Sequence, residues 1–187
     1  METLSPPYLL IATPSLRDPN FEQTVVLMGH HDGQGALGWV LNRVHEKPAR
    51  EVLTLEHRER VHARTPLHVG GPCPTDALLA VFRGAVADEV EASELAPGLS
   101  VSRSADVLPQ LFASEPAAEL VQGRLVFGYS GWGPGQLERE MQEGAWLALP
   151  SEPDLAFARR VDDLWQRCFE RLGINPALLT SPTGRSH

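Results

Sequence analysis

The residue types that chemistry needs are concentrated in Gly128-Tyr129-Ser130-Gly131-Trp132-Gly133-Pro134-Gly135-Gln136-Leu137-Glu138. Ser130 between glycines approaches the GxSxG nucleophile elbow, but Trp132 stands where the second glycine belongs, and its ring would crowd a strained turn. Gly131-x-Gly133-x-Gly135 is not the GxGxxG fingerprint, and no P-loop lysine follows. No residue of the stretch is therefore assigned as catalytic. Two readings stay open. Backbone N–H groups at a helix start can hold an anion, or the glycines let a strand and a helix pack around Trp132.

Two other short motifs share the small-and-polar character of a strand end. Asn42-Arg43 places an amide and a guanidinium after an apolar run, and Gly70-Gly71-Pro72 is a sharp turn. The spacing predicts that these motifs meet the glycine stretch in one ligand-binding pocket built from Asn42, Arg43, Gly70, Gly71, Gly131, Trp132, Gly135, Gln136 and Glu138. Its ligand would be a small anion, with a protein partner as the other candidate. The alternative is a hydrolase in which Glu138 or Glu140 beside the turn serves as general base.

The remaining reactive residues carry less. His30-His31-Asp32 are adjacent, so their side chains diverge, and no third metal ligand has suitable spacing. They are predicted to be surface-loop residues. Gln136, Glu140 and Glu143 share one helix face, which is predicted to be solvated. Cys73 follows a glycine turn without basic neighbours, and Cys168 lies on an apolar helix face. No metal and no cofactor are expected.

The elements that must position these groups follow from periodicity. Leu9–Ala12, Thr24–Met28 and Ala36–Leu41 are apolar runs, and the last two, joined by a glycine-containing loop, predict an antiparallel hairpin. Residues 49 to 64 predict an amphipathic helix followed by a charged loop. Leu67–Val69, Ala77–Phe82, Leu99–Ser102, Leu125–Phe127 and Trp146–Leu149 read as strands, and Gly84–Pro97 as a loop. Short helices are expected from Ser104, between Pro116 and Gly123, and from Pro134 with Gly133 as N-cap and Gly144 as its C-terminal stop. Val161, Leu164, Trp165, Cys168 and Leu172 mark a last helix ended by Gly173. This is an α+β pattern: one domain, a mixed but largely antiparallel sheet flanked by helices, and a mobile tail from about residue 175.

Composition bounds the function classes. With 187 residues, 42% of them apolar and 21% charged, the chain has enough material for a real core. A net charge of −8 disfavours a phosphate-backbone interface, so direct nucleic-acid binding is not expected. Arg58, Arg60 and Arg64 are interleaved with Glu56 and Glu59, the pattern of a salt-bridged face. Two widely separated cysteines fit a reducing compartment. The apolar run at Tyr8–Ala12 is too short for a signal peptide or a membrane span. The expected location is the cytoplasm, with no membrane partner.

Taken together, the motifs resemble one family. Leu9-Leu10-Ile11-Ala12-x-Pro14, Asp18-Pro19-x-Phe21 and Thr24-Val25-Val26 look like the opening of the YqgE/AlgH family of bacterial proteins. His31-x-x-x-Gly35-Ala36-x-Gly38-x-Val40-x-Asn42-Arg43 continues the pattern, as do Gly70-Gly71-Pro72 and Gly131-Trp132-x-x-Gly135-Gln136-Leu137-Glu138-x-Glu140. Trp146 and Trp165-x-x-x-x-x-Arg171-Leu172-Gly173-Ile174 complete it. Val44 departs from the proline that usually follows Asn-Arg, and Cys73 from the family's aliphatic or polar residue. The resemblance implies a compact αβ fold and a bacterial cytosolic protein, and it brings no reaction with it. The family's name as a transcriptional regulator comes from a member linked to alginate control. For a chain this acidic it implies an indirect regulatory role.

Overall fold

The structure, a computed structural model, describes residues 4–116 and 118–179. Among the described residues, ten strands form two five-stranded sheets. The first contains β1 (Tyr8–Ala12), β2 (Val25–Asp32), β3 (Gly35–Val40), β9 (Ser130–Trp132) and β10 (Trp146–Pro150), in the order β10-β1-β2-β3-β9 and antiparallel throughout. The second contains β4 (Leu67–Val69), β5 (Leu79–Arg83), β6 (Ser93–Ala96), β7 (Leu99–Ser102) and β8 (Gly123–Phe127), in the order β4-β8-β5-β7-β6. Within it only β4 and β8 run parallel. The helices are α1 (Ala49–Val52), α2 (Leu55–Arg58), α3 (Leu108–Phe112), α4 (Gln136–Gln142), α5 (Pro153–Ala156) and α6 (Leu164–Leu172).

The α+β class and the antiparallel bias follow the sequence pattern, with the sheet divided in two. Side chains alternate across a strand, and here both faces are buried. Leu9, Ile11, Leu27 and Trp39 from the first sheet meet Leu79, Val81 and Val126 from the second in a central core, closed by Leu164, Cys168 and Phe169 of α6. The opposite face of the first sheet presents Tyr8, Leu10, Val26 and Met28 to Trp132, Leu137 and Trp146. The opposite face of the second sheet presents Leu67, Ala80, Phe82 and Leu125 to Val107, Leu108 and Phe112. Burial on both sides is why β1 reads as an unbroken apolar run.

Several local expectations change. Residues 49–64 form two four-residue helices, because the chain turns extended at Leu53-Thr54. The stretch read as a loop at 84–97 contains β6, an exposed edge strand whose pairing slips between Glu94 and Ala96 and so hides its period. No helix lies between Pro116 and Gly123 among the described residues. Leu120 instead bridges to Ala158, and Val121 N–H donates to the Phe157 carbonyl. Gly144 and Gly173 end α4 and α6 with positive φ, +81° and +68°. Asn175 to Leu179 closes with a 3₁₀ turn over Pro176–Leu179, and the rest of the predicted tail lies outside the described residues.

Candidate functional site

Gly128-Tyr129 is the point where the chain leaves the second sheet at β8 and enters the first at β9. The Gly70-Gly71 turn packs directly against it. A Cβ on Gly70 would lie 2.4 Å from the Gly128 carbonyl oxygen, and one on Gly71 would lie 2.3 Å from the Tyr129 oxygen. The Gly70 carbonyl accepts from Val40 N–H at 2.9 Å and from Ser130 Oγ–H at 3.0 Å. These glycines are therefore a seam between the sheets. Ser130 is fully buried with its hydroxyl committed to that seam, which removes it as a nucleophile.

What sequence spacing predicts to be a turn at Ser130–Trp132 is a short strand, Ala36 pairing with Trp132 and Gly38 with Ser130. Helix α4 starts at Gln136, two residues later than Pro134, with Gly135 at φ +71° as its N-cap in place of Gly133. Trp132 is buried, and its indole N–H donates to Glu140 Oε2 at 3.0 Å. The Trp146 indole donates to the same oxygen at 2.8 Å, and Gln136 Nε2 donates to Glu140 Oε1 at 2.9 Å. Gln136 Oε1 in turn accepts from Gly133 N–H. Phe21 completes the cluster, its ring 5.9 Å from Trp132 and 5.5 Å from Trp146. Glu140 thus points inward rather than lying on a solvated face, and its carboxylate accepts three hydrogen bonds.

Glu138 has a different partner. Tyr8 O–H donates to His31 Nδ1 at 2.8 Å, and His31 Nε2–H donates to Glu138 Oε1 at 2.9 Å. That chain fixes the imidazole tautomer. The His31 side chain is only 8% exposed, because the end of β2 places it against α4, so the surface-loop expectation for it is corrected. Burial pushes the Tyr8 hydroxyl up to about 12. Hydrogen bonds from its own backbone N–H and from His31 hold the Glu138 carboxyl below its usual range. The relay ties β1 and β2 to α4 and ends on a buried phenol. Neither candidate base is free beside a reacting position.

Asn42 and Arg43 work elsewhere. Asn42 Oδ1 accepts from Val25 N–H, and its Nδ2 donates to the Gln23 carbonyl, while Arg43 Nη2 donates to the Glu22 carbonyl at 2.7 Å. Together they hold the Asp18–Thr24 loop, in which Gln23 adopts a positive φ of 54°. Asn42 lies two residues past the end of β3, whose other end pairs Ala36 with Trp132. The nine predicted residues fall in three groups: Asn42 and Arg43 against the Asp18–Thr24 loop, Gly70 and Gly71 at the inter-sheet seam, and Gly131 to Glu138 along β9 and the start of α4.

A cleft that the sequence reading missed lies on the second sheet. Arg124, on β8, is 2% exposed and lines a cavity of about 340 Å³ with His68, Arg64, Arg159 and Arg160. Its Nε–H donates to the Ala156 carbonyl at 2.9 Å, Nη2–H to the Ala158 carbonyl at 2.7 Å, and Nη1–H to His68 Nε2 at 3.4 Å. His68 Nδ1–H donates to the Leu125 carbonyl at 3.2 Å. Among the described residues no carboxylate lies within ion-pair distance of Arg124. Burial lowers the guanidinium to about 10, and burial followed by repulsion from Arg124 lowers His68 to about 3. The charge is held by carbonyl and imidazole dipoles alone, and two of the five guanidinium N–H bonds have no acceptor among the described residues. At the rim, Glu115 reaches Arg159 at 3.4 Å and Arg64 at 3.7 Å. Four arginines therefore face Glu115 and Asp162, a locally basic cleft in an acidic chain. The one signal in the sequence is an arginine immediately before the apolar run Leu125–Phe127 of β8.

Two antiparallel-rich sheets joined at a glycine seam make this an α+β protein. The sequence model of the AlgH-like family matches residues 9–177. A UPF0301 protein of Anaeromyxobacter dehalogenans strain 2CP-1 is 41% identical over 180 residues, covering 91% of this chain and 89% of the relative. A UPF0301 protein of Pseudomonas putida strain W619 is 38% identical over the full length of both. The chain belongs to the AlgH-like family. The solution structure of AlgH from Pseudomonas aeruginosa matches all of both chains at a TM-score of 0.68 and 30% identity. A crystal structure of a Corynebacterium diphtheriae protein shares the fold at a TM-score of 0.72 and 22% identity, covering 97% of this chain and 94% of that one. No helix among the described residues is long and apolar enough to cross a membrane.

Proposed function

We propose that this protein is a small-anion-binding regulatory module of the cytoplasm, acting on gene expression indirectly, and that its ligand site is the Arg124 cleft rather than the Gly131–Gln136 turn. One observation carries the reading: a buried guanidinium in a cavity wall with no carboxylate against it. Burying a cation without a counter-charge is costly, and an anion drawn from solution would supply that counter-charge. Arg64, Arg159 and Arg160 at the rim add attraction and two-pronged recognition of phosphate or carboxylate oxygens. The Gly131–Gln136 turn lacks these features, since Glu138 and Glu140 stand beside it and Gly133 N–H is already taken by Gln136. Two free cysteines, Cys73 half-buried and Cys168 buried, agree with a reducing cytoplasm.

Inorganic phosphate and citrate, titrated at constant ionic strength, test the reading by thermal shift and calorimetry. Both are expected to stabilise the protein saturably, by about 2.7 kcal/mol at one hundred times Kd. Arg159→Ala with Arg160→Ala is expected to remove the effect without altering the fold. Glu115→Gln is expected to strengthen binding by freeing the rim arginines. Arg43→Ala is expected to leave binding intact. No stabilisation beyond that of chloride, or stabilisation that survives loss of the rim arginines, would overturn the assignment.

A further inference from the structure

The helices covering the outer face of the second sheet leave it incompletely filled. Between α1, α2, the β4–β8–β5 face and α3 lies a second cavity of about 470 Å³. Its floor is made of Leu67, Ala80, Leu108 and Leu125, none more than 2% exposed. Interiors are close-packed, and voids much larger than a water molecule are few. This one exists because small residues face it from two segments: Ala80 on β5 with Ala77 just before it, and Ala105 in the turn ahead of α3. The volume falls within the range of small-molecule sites. Its outer wall is formed by two four-residue helices without side-chain caps, in which Val52 and Leu55 are 46% and 73% exposed.

The mouth has a defined polarity. Asp76 and Arg103 both line the cavity, and neither side chain makes an ion pair or hydrogen bond among the described residues. One offers acceptors and the other donors, and their charges sum to zero. A charged head would be attracted by one and repelled by the other. A neutral head that both donates and accepts would satisfy both.

We infer that this cavity is a second ligand site, separate from the Arg124 cleft, that takes an uncharged amphipathic small molecule. Its apolar body rests on the half-buried Leu53, Leu78 and Phe127 of the lining, and its amide-like or hydroxyl head lies between Asp76 and Arg103. The two sites share only Leu125 in their walls and differ in chemistry, one basic and one apolar and neutral overall.

The test uses N-phenyl-1-naphthylamine, a neutral fluorophore with an apolar body and one N–H donor, titrated into the full-length protein. One saturable site per chain is expected, with emission shifted to the blue. Ala105→Leu and Ala77→Leu, which fill the cavity from two directions, are each expected to weaken binding at least about tenfold with an unchanged or raised melting temperature. Saturating phosphate is expected to leave the fluorophore bound, which separates this site from the Arg124 cleft. Absence of saturable binding, or equal binding to both leucine variants, would overturn the inference. Displacement by phosphate, or loss in the Arg159→Ala, Arg160→Ala protein, would assign the probe to the basic cleft and overturn it as well.

Discussion

Acidification is expected to destabilise the protein through a single buried histidine. His68 is 4% exposed, and in the folded state its imidazole is neutral, accepting from Arg124 and donating to the Leu125 carbonyl. Burial, reinforced by the neighbouring guanidinium, lowers its pKa from 6.5 to about 3. Above pH 6.5 the imidazole is neutral whether the chain is folded or not, and it contributes no pH dependence. Between 6.5 and about 3 the unfolded chain binds a proton that the folded chain refuses, so stability falls as pH falls. The limiting slope is about 1.4 kcal/mol per pH unit, and lowering the pH to about 5 removes roughly 2 kcal/mol, a large fraction of a typical domain's 5–15 kcal/mol. His68→Gln is the informative variant. Its amide can accept from Arg124 and donate to Leu125 but does not titrate. Urea denaturation at intervals between pH 7.5 and 5 should show the wild type losing roughly 2 kcal/mol more than the variant across that window. Carboxylates titrate mostly below the window and are common to both proteins. A wild type and variant whose stabilities run parallel with pH would refute the argument, because His68 would then be titrating as an ordinary exposed imidazole.

Two further outcomes bear on the seam and the tryptophan cluster. Gly71→Ala places a methyl group 2.3 Å from a backbone oxygen at φ +152° and is expected to cost about 2 kcal/mol or more by chemical denaturation, whereas Gly33→Ala, with nothing within 4 Å, is expected to be nearly neutral. Glu140→Ala removes the acceptor shared by the Trp132 and Trp146 indoles and is expected to cost about 2–4 kcal/mol, with a matching change in tryptophan fluorescence. Unchanged denaturation midpoints would mean that the glutamate is a solvated surface residue.

The local elements were largely legible in the chain. Apolar runs located β1, β2, β3, β8 and β10, glycines marked the ends of α4 and α6, and a short glycine loop announced the β2–β3 hairpin. Trp132 between glycines implied a buried ring, and it is buried. These features depend on residues close together in sequence, where periodicity and turn chemistry act. Edge strand β6 escaped because an exposed, slipped strand has no buried face to impose a period.

Which distant residues share a cleft or a seam depended on the tertiary structure. The sequence by itself determined that Gly70, Gly71, Asn42, Arg43, Glu138 and Glu140 are special, but special residues serve packing as readily as binding. Two sheets that cross at Gly128-Tyr129 need bare backbone at Gly70-Gly71, and two tryptophans brought together need one carboxylate at Glu140. Arg124 belongs to none of the motifs that the sequence singles out. Its meaning came from the carbonyls of Ala156 and Ala158, more than thirty residues away, and from His68 on a neighbouring strand, which together bury a positive charge beside an open cleft. Periodicity reports which face of an element is buried, and it carries no information about which distant groups share that burial.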